Sequence, residues 1–321
     1  MPAGASVHGM ARLITLTLNP ALDLAADAEA VVHTHKIRMQ HEHADPGGGG
    51  VNVARVLHEL GADTLAIVCA GGASGRVLEE MLDEAGVPRR SVSIVGRTRV
   101  SLNVLDRASN LEYRFVPEGP TLSDAEWRRV LDEMERVEGD WLIASGSLPH
   151  GVPVDGYAQI AVIAARRGLR FALDTSGDPL RAALGHGIEL AKPSLGELEH
   201  LVGRALPDAA AQEAEAVALV CAGAARMMAV TRGADGAFLA TRDGVVCQPA
   251  MRVDVHTAVG AGDAFLAGLL FGLSRGESRE SALAWGTAAG AAAIACAGTA
   301  RLRREDVTAR YGEIAGQLTQ A

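Results

Sequence analysis

Thr257-Ala258-Val259-Gly260-Ala261-Gly262-Asp263, followed by the apolar run Ala264 to Leu273, is the stretch around which the rest of this sequence is arranged. Gly260 and Gly262 carry no Cβ, so the backbone can turn sharply there and a ligand can approach it closely. Beyond them Leu266, Leu269, Leu270 and Leu273 fall on one apolar face, which predicts a helix over 261–275. The glycines thus stand where a helix begins and its first N–H groups have no internal partner. Those donors and the positive end of the helix dipole form an anion site. Asp263 sits in that first turn, and a carboxylate beside an anion site is repelled unless it serves the chemistry. Two readings follow. Either Asp263 caps the helix and the glycines merely turn the chain, or the amides of Gly260, Ala261 and Gly262 hold a phosphoryl group while Asp263 takes a proton from an attacking hydroxyl.

Composition narrows the choice. The chain has 321 residues, 48% hydrophobic and 21% charged, as in ordinary globular proteins. Aromatics are only 3%, so Ala, Val and Leu must fill the core, which suits parallel strands covered on both faces. A net charge of −9 without a basic run argues against a nucleic-acid surface. Cys69, Cys221, Cys247 and Cys296 show no metal-like spacing and read as thiols of a reducing cytoplasm. No signal peptide and no apolar run of transmembrane length is visible, so a cytoplasmic protein away from membranes is expected.

Working back to the start, residues 1–11 read as a tail and Arg12 to Leu18 as a strand ending at Asn19-Pro20, with Asp23 at its mouth. Residues 24–45 read as small strands outside the main sheet, Lys36-Ile37-Arg38-Met39 among them. His33, His35, His41 and His43 fit solvated strand faces better than a metal site. Pro46-Gly47-Gly48-Gly49-Gly50-Val51-Asn52-Val53-Ala54-Arg55 exposes bare amides before a helix at 51–60. A dinucleotide loop is the rival, but the acidic residue expected downstream is not in place. Asn52 falls in the first turn, either as a cap or as a ligand for sugar hydroxyls.

Strand 64–69, helix 75–85 and strand 91–95 continue the alternation. Strands 98–105 and 112–116, joined by a polar turn at 107–110, break it and are expected to form a lid sheet with 24–45. Arg99 lies there, solvated or as a fork for a phosphate. Helix 123–138, strand 141–144, Ser145-Gly146-Ser147-Leu148-Pro149, helix 153–167, strand 170–174, helix 178–184, strand 188–191 and helix 195–202 restore the βα order of a parallel sheet. Lys192, Ser194 and Glu197 stand at a strand-to-helix junction. Helix 209–222 and strand 226–231 lead to the glycine turn Thr231 to Gly236, then strands 237–241 and 244–248. Helices 278–296 and 304–318 close the chain, with no repeat and no interdomain linker.

The ordered set PGGGGVNVAR, YRFV, SGSLP, KPSLGE, TRGADGA and VGAGDA resembles the ribokinase-like family of carbohydrate kinases, phosphofructokinase B type, from about residue 12 to 318. The resemblance implies one ribokinase-like α/β domain, a three-layer sandwich whose mostly parallel sheet is flanked by helices, with the lid inserted. It implies ATP-dependent phosphorylation of fructose 6-phosphate at its C1 hydroxyl, with Asp263 as base and Gly260, Ala261 and Gly262 as anion hole. Asp23, Gly48, Gly49 and Asn52 match sugar contacts; Lys36, Arg99 and Ser147 match the grip on the 6-phosphate. Lys192, Ser194, Thr231, Gly233 and Gly236 match the ATP and magnesium region, with Glu197 on the metal through water and Thr287 and Ala291 at the adenine. A potassium site near Val259, Ala293 and Gly298 and a homodimer through the lid are also implied.

Relatives acting on fructose 1-phosphate or tagatose 6-phosphate usually carry lysine in the glycine loop, where this chain has only Gly47 to Gly50. Those two activities are the alternatives within the family. A phosphosugar sensor without turnover is the alternative of another class, and a nicotinamide-dependent dehydrogenase rests on the glycine loop alone. Ser194 replaces the asparagine of the family's Asn-x-x-Glu, which bears on metal or ATP geometry. His150 replaces a proline, with little effect expected.

Overall fold

The computed structural model describes residues 11–254, 260–296 and 302–318. The backbone of the chain runs through a nine-stranded sheet in the order β13-β12-β11-β10-β9-β8-β1-β4-β5. The strands are β1 (Arg12–Thr17), β4 (Asp63–Ala70), β5 (Arg89–Ser93), β8 (Trp141–Ser145), β9 (Arg170–Asp174), β10 (Leu190–Ala191), β11 (Met227–Thr231), β12 (Ala237–Thr241) and β13 (Gly244–Gln248). From β5 to β11 every pairing is parallel; the hairpin β12–β13 adds an antiparallel edge.

Alternation along the strands decides which layer each side chain enters. Ile14, Leu16 and Leu18 point into a core shared with α3 (Asp124–Arg136), α4 (Gly156–Arg167), α5 (Gly177–Ala183), α6 (Leu195–Val202) and α7 (Ala209–Cys221). Leu13, Ile143, Leu190 and Ala229 point the other way, against α1 (Gly49–Glu59), α8 (Ala261–Ser274), α9 (Arg279–Ala295) and α10 (Arg304–Leu318). Helix α2 (Gly72–Glu84) packs Leu78 and Leu82 beside α1 against Ala66 and Val68. Parallel strands buried on both faces must read as continuous apolar runs, and these do.

A second sheet of four strands, β3-β2-β6-β7, stands outside the sandwich. It comprises β2 (Ala21–Ala28), β3 (Met39–Gly47), β6 (Arg99–Asp106) and β7 (Leu111–Phe115). Its outer pairs are antiparallel, while β2 and β6 run parallel at its centre. Two expectations shift here. Residues 36–38 are not strand; they belong to the loop before β3, since nothing pairs with them beyond Ala28↔Met39. Asp23 lies within β2 rather than at the end of β1. His33 and His35 are exposed in that loop, His41 and His43 are exposed on β3, and among the described residues no metal-binding group of His, Cys, Asp or Glu forms. None of the described helices is long and apolar enough to cross a membrane.

Candidate active site

The parallel strands deliver their carboxyl ends to one edge, where open α/β sheets carry their ligand sites. Asn19 follows β1, Ser145 and Ser147 stand at the end of β8, Asp174 closes β9, Lys192 follows β10 and Thr231 closes β11. The N-terminus of α8 comes up against this edge. Gly260 is its N-cap, with φ +76 that a side chain would resist, and it turns the chain so that Asp263 sits in the first turn. The first-turn amides of Ala261, Gly262 and Asp263 have no carbonyl within the helix to bond, which leaves donors beside the carboxylate.

Asp263 is not a cap. Its Oδ2 accepts a hydrogen bond from Asn52 Nδ2 at 2.9 Å, and its Oδ1 lies 3.4 Å from the Ser145 hydroxyl. Ser145 Oγ is also 3.3 Å from Asp174 Oδ2, and Asp174 Oδ1 pairs with Lys192 Nζ at 3.1 Å. Lys192 is buried at 5% exposure. Burial alone would push its ammonium down, but the neighbouring Asp174 charge holds it above its ordinary value. Burial pushes Asp174 up, partly offset by Lys192. For Asp263, burial and then the Asp174 charge raise the carboxyl to about 7, while Asn52, Lys192 and Ser145 pull against them. A carboxylate at that value suits a proton acceptor working near neutral pH.

The glycine loop explains how α1 comes so close. A Cβ at Gly49 would collide with Ser145 Oγ, and one at Gly47 with the Asp23 carboxylate. The glycines therefore serve close approach of this loop to Ser145 at the end of β8 and to Asp23 within β2, rather than only baring amides. The helix accordingly begins at Gly49, with Gly48 as N-cap at φ +105, two residues before the predicted start. Asn52 is neither a cap nor turned away from the centre; its side chain is committed to Asp263.

A second group lies where the outer sheet joins the sandwich. Burial raises the Asp23 carboxyl, against the pull of Ser101 and then Arg99. Arg99, at the start of β6, donates to the carbonyls of Asn19 and Pro117, both at 3.0 Å. Asn19 Nδ2 donates to Ser147 Oγ at 3.2 Å. Within one protomer Lys36 stands apart from this group: it is exposed past the distal end of the β2–β3 hairpin, where the five residue steps from Asp23 to Ala28 alone span roughly 16 Å. His150 pairs with Glu118 at 2.9 Å on the exposed rim.

The third group flanks Lys192. Ser194 caps α6 by accepting the Glu197 amide, while Glu197 Oε2 accepts the Ser194 amide at 2.7 Å, a reciprocal capping box. Ser-x-x-Glu is the sequence signature of that box, and it accounts for serine at this position. Ser194 bridges to Thr231, next to the 3-10 turn Gly233–Asp235. Gly233 faces open space, whereas a Cβ at Gly236 would strike the Gln248 carbonyl, so Gly236 serves backbone packing. On α9, Thr287 is buried with its hydroxyl unpartnered, and Ala291 is buried one turn on. Ala293 accepts the Cys296 amide at 3.3 Å with its carbonyl, which retains a second lone pair. Val259 and Gly298 lie outside the described residues.

Sequence reasoning missed Ser145 and Asp174. Asp174 had a signal, an acidic residue at the carboxyl end of a parallel strand; Ser145 opened a motif in which only Ser147 was singled out.

Residues 16–305 match the profile described as pfkB family carbohydrate kinase. The chain is 41% identical to the ATP-dependent 6-phosphofructokinase isozyme 2 of Mycobacterium tuberculosis (strain ATCC 25618 / H37Rv), covering 98% of this chain and 92% of that protein. It is 34% identical to the 1-phosphofructokinase of Xanthomonas campestris pv. campestris, over 80% of this chain and 82% of that one. Crystal structures of the phosphofructokinase-2 from Escherichia coli superpose on it at 35% identity, covering 95% of this chain and 100% of that one. The complex with fructose-6-phosphate gives a TM-score of 0.89 and that with potassium 0.91.

Proposed function

The chain belongs to the pfkB family of carbohydrate kinases and is an ATP-dependent sugar kinase, and from that premise we propose that it transfers the γ-phosphoryl of ATP to the C1 hydroxyl of fructose 6-phosphate. The observation that carries the chemistry is the Asp263 carboxyl, raised to about 7 and held by Asn52 beside the first-turn amides of α8. Phosphoryl transfer asks a protein mainly for alignment and charge stabilisation. In this reading the amides of 260–263 meet the charge on the migrating group, and such donors are worth roughly 2.7–4 kcal/mol each. Asp263 accepts the hydroxyl proton, while Lys192 balances the buried negative charge behind it. A sensor without turnover would have no use for a carboxylate desolvated at that cost.

Arg99 and Ser147 hold the 6-phosphate and Asp23 the sugar. The nucleotide end falls to Lys192, Thr231, Gly233 and the buried Thr287 hydroxyl, an unpaired group of the kind a ligand satisfies. Magnesium fits this site in one manner. Glu197 has one oxygen left for a metal-bound water, and with no protein cage among the described residues the ion would travel on the phosphates and neutralise their charge. Potassium would use the Ala293 carbonyl.

The sugar specificity rests on kinship to 6-phosphofructokinases and on the all-glycine loop. Values of kcat/KM for fructose 6-phosphate, fructose 1-phosphate, tagatose 6-phosphate and fructose test it. Fructose 6-phosphate should lead by at least ~10-fold; preference for either other phosphosugar would reassign the enzyme within its family.

The outer sheet leaves Leu111 58% and Phe115 57% exposed, with Val116 next in sequence exposed as well. Such an apolar face with open strand edges calls for a cover. We assign it to a homodimer; sedimentation should give a dimer at micromolar concentration, and a strictly monomeric species would contradict the assignment.

A further inference from the structure

Asn19 stands at the centre of the group around Arg99, and every polar contact it makes leads to a residue of that group. It is 4% exposed. Its Nδ2 donates to the Glu118 carbonyl at 2.8 Å and to Ser147 Oγ at 3.2 Å, which uses both amide hydrogens. Its backbone carbonyl accepts from Arg99 Nη2, and the neighbouring Pro117 carbonyl accepts from Arg99 Nη1. The other amide atom, Oδ1, is buried without a partner and lies against Gly119, where φ is +100 and a Cβ would collide with it.

Two consequences follow from these bonds. Because Ser147 Oγ accepts from Asn19, its own hydrogen is kept for an acceptor in the cleft, so the hydroxyl faces a ligand as a donor. Because the Glu118 carbonyl is tied to the same amide, the 117–119 segment that holds one arm of the Arg99 fork is fixed in place. One amide thus sets both the polarity of the hydroxyl and the aim of the guanidinium.

We propose that Asn19 is a positioning residue for the anionic end of the acceptor, making Ser147 a donor and orienting Arg99 so that the enzyme discriminates phosphorylated from unphosphorylated sugars. This rests on Arg99 and Ser147 being the phosphate grip. Asn19 touches no reacting atom, so its loss acts on KM for the phosphosugar and spares the chemical step.

The test is steady-state kinetics of Asn19→Ala and of the near-isosteric Asn19→Leu, which keeps the volume but loses the amide, with fructose 6-phosphate and with fructose. KM for fructose 6-phosphate should rise ~5–30-fold, the size expected for one or two lost hydrogen bonds. The kcat should stay within ~3-fold, KM for ATP should be unchanged, and kcat/KM for fructose should barely move. In combination with Ser147→Ala the effects should be less than multiplicative, because the two groups act through one contact. An equal loss with both acceptors, or effects that multiply, would overturn the proposal and leave Asn19 as ordinary packing. Arg99→Ala separates the two levels. If it raises KM for fructose 6-phosphate while the Asn19 variants do not, this inference fails alone; if it leaves KM unchanged, the phosphate grip itself is wrong.

Discussion

The Asp263 group and the Arg99 group lie at opposite ends of one glycine loop, with Gly49 against Ser145 and Gly47 against Asp23. They are built on different terms. Around Asp263 the charges are enclosed, two carboxylates (Asp263 and Asp174) against one ammonium (Lys192), each held by a strand end or helix start. There burial dominates, and it raises the one carboxyl to about 7. Around Arg99 the support comes from loop carbonyls and from an outer sheet with an exposed face. The first arrangement suits a step in which a proton moves, the second the proposed hold on the phosphate. Turnover should therefore be sensitive to one group and affinity to the other.

The largest effect that could break this division is Asp263→Asn. It should lower kcat at least ~100-fold with little change in substrate binding. Near-normal turnover would remove Asp263 from the chemistry. Arg99→Ala should do the reverse, raising KM for the phosphosugar ~10–100-fold while KM for ATP holds, since a charge-assisted bidentate grip is worth roughly 1.5–3 kcal/mol. If the loss fell on kcat instead, the two regions would not be separable.

Smaller shifts sharpen the contrast. The Asp174 charge raises Asp263, so Asp174→Asn should move the acid limb of kcat/KM to lower pH, by about one unit, in a pH–rate profile. An unmoved limb would show that the two carboxylates do not sense each other. The smallest effect concerns stability. The Asp263 carboxyl, raised above its unfolded value, makes the folded state bind a proton more tightly from about pH 4 to 7, so its contribution is lost as pH rises through about 7. Asp263→Asn, neutral throughout, should then stabilise the protein at pH 8 by roughly 1–3 kcal/mol and much less at pH 5, measured by thermal or denaturant unfolding. A loss of stability at pH 8 would mean that the ionised carboxylate is well paired.

The sandwich was legible because its strands are short apolar runs between glycines and polar turns, and burial on both faces leaves no other composition. Helix boundaries moved at glycine-rich starts such as Gly49 and Gly72, where amide geometry and not side-chain pattern decides, and also after the Pro153 turn and at the end of the helix that closes at Arg136. The site was legible as a set of positions, less so as a set of partners. Asn52 read as a cap or sugar ligand, because its bond to Asp263 spans 211 residues of sequence. Asp174 and Ser145 acquire meaning only when parallel strands bring their ends together. Ser194 read as a departure from a metal motif, whereas local geometry makes it half of a capping box. Lys36 read as a phosphate ligand, but within one protomer it lies exposed in the loop before β3, and where a hairpin carries a side chain is not a property of a motif.

The pH dependence of kcat/KM with fructose 6-phosphate tests the central claim most directly. Activity should fall with an acid limb near pH 7 in the wild type, and that limb should vanish from the residual activity of Asp263→Asn. A limb retained in that variant, or a wild-type rate that stays level down to pH 5, would contradict Asp263 as the proton acceptor.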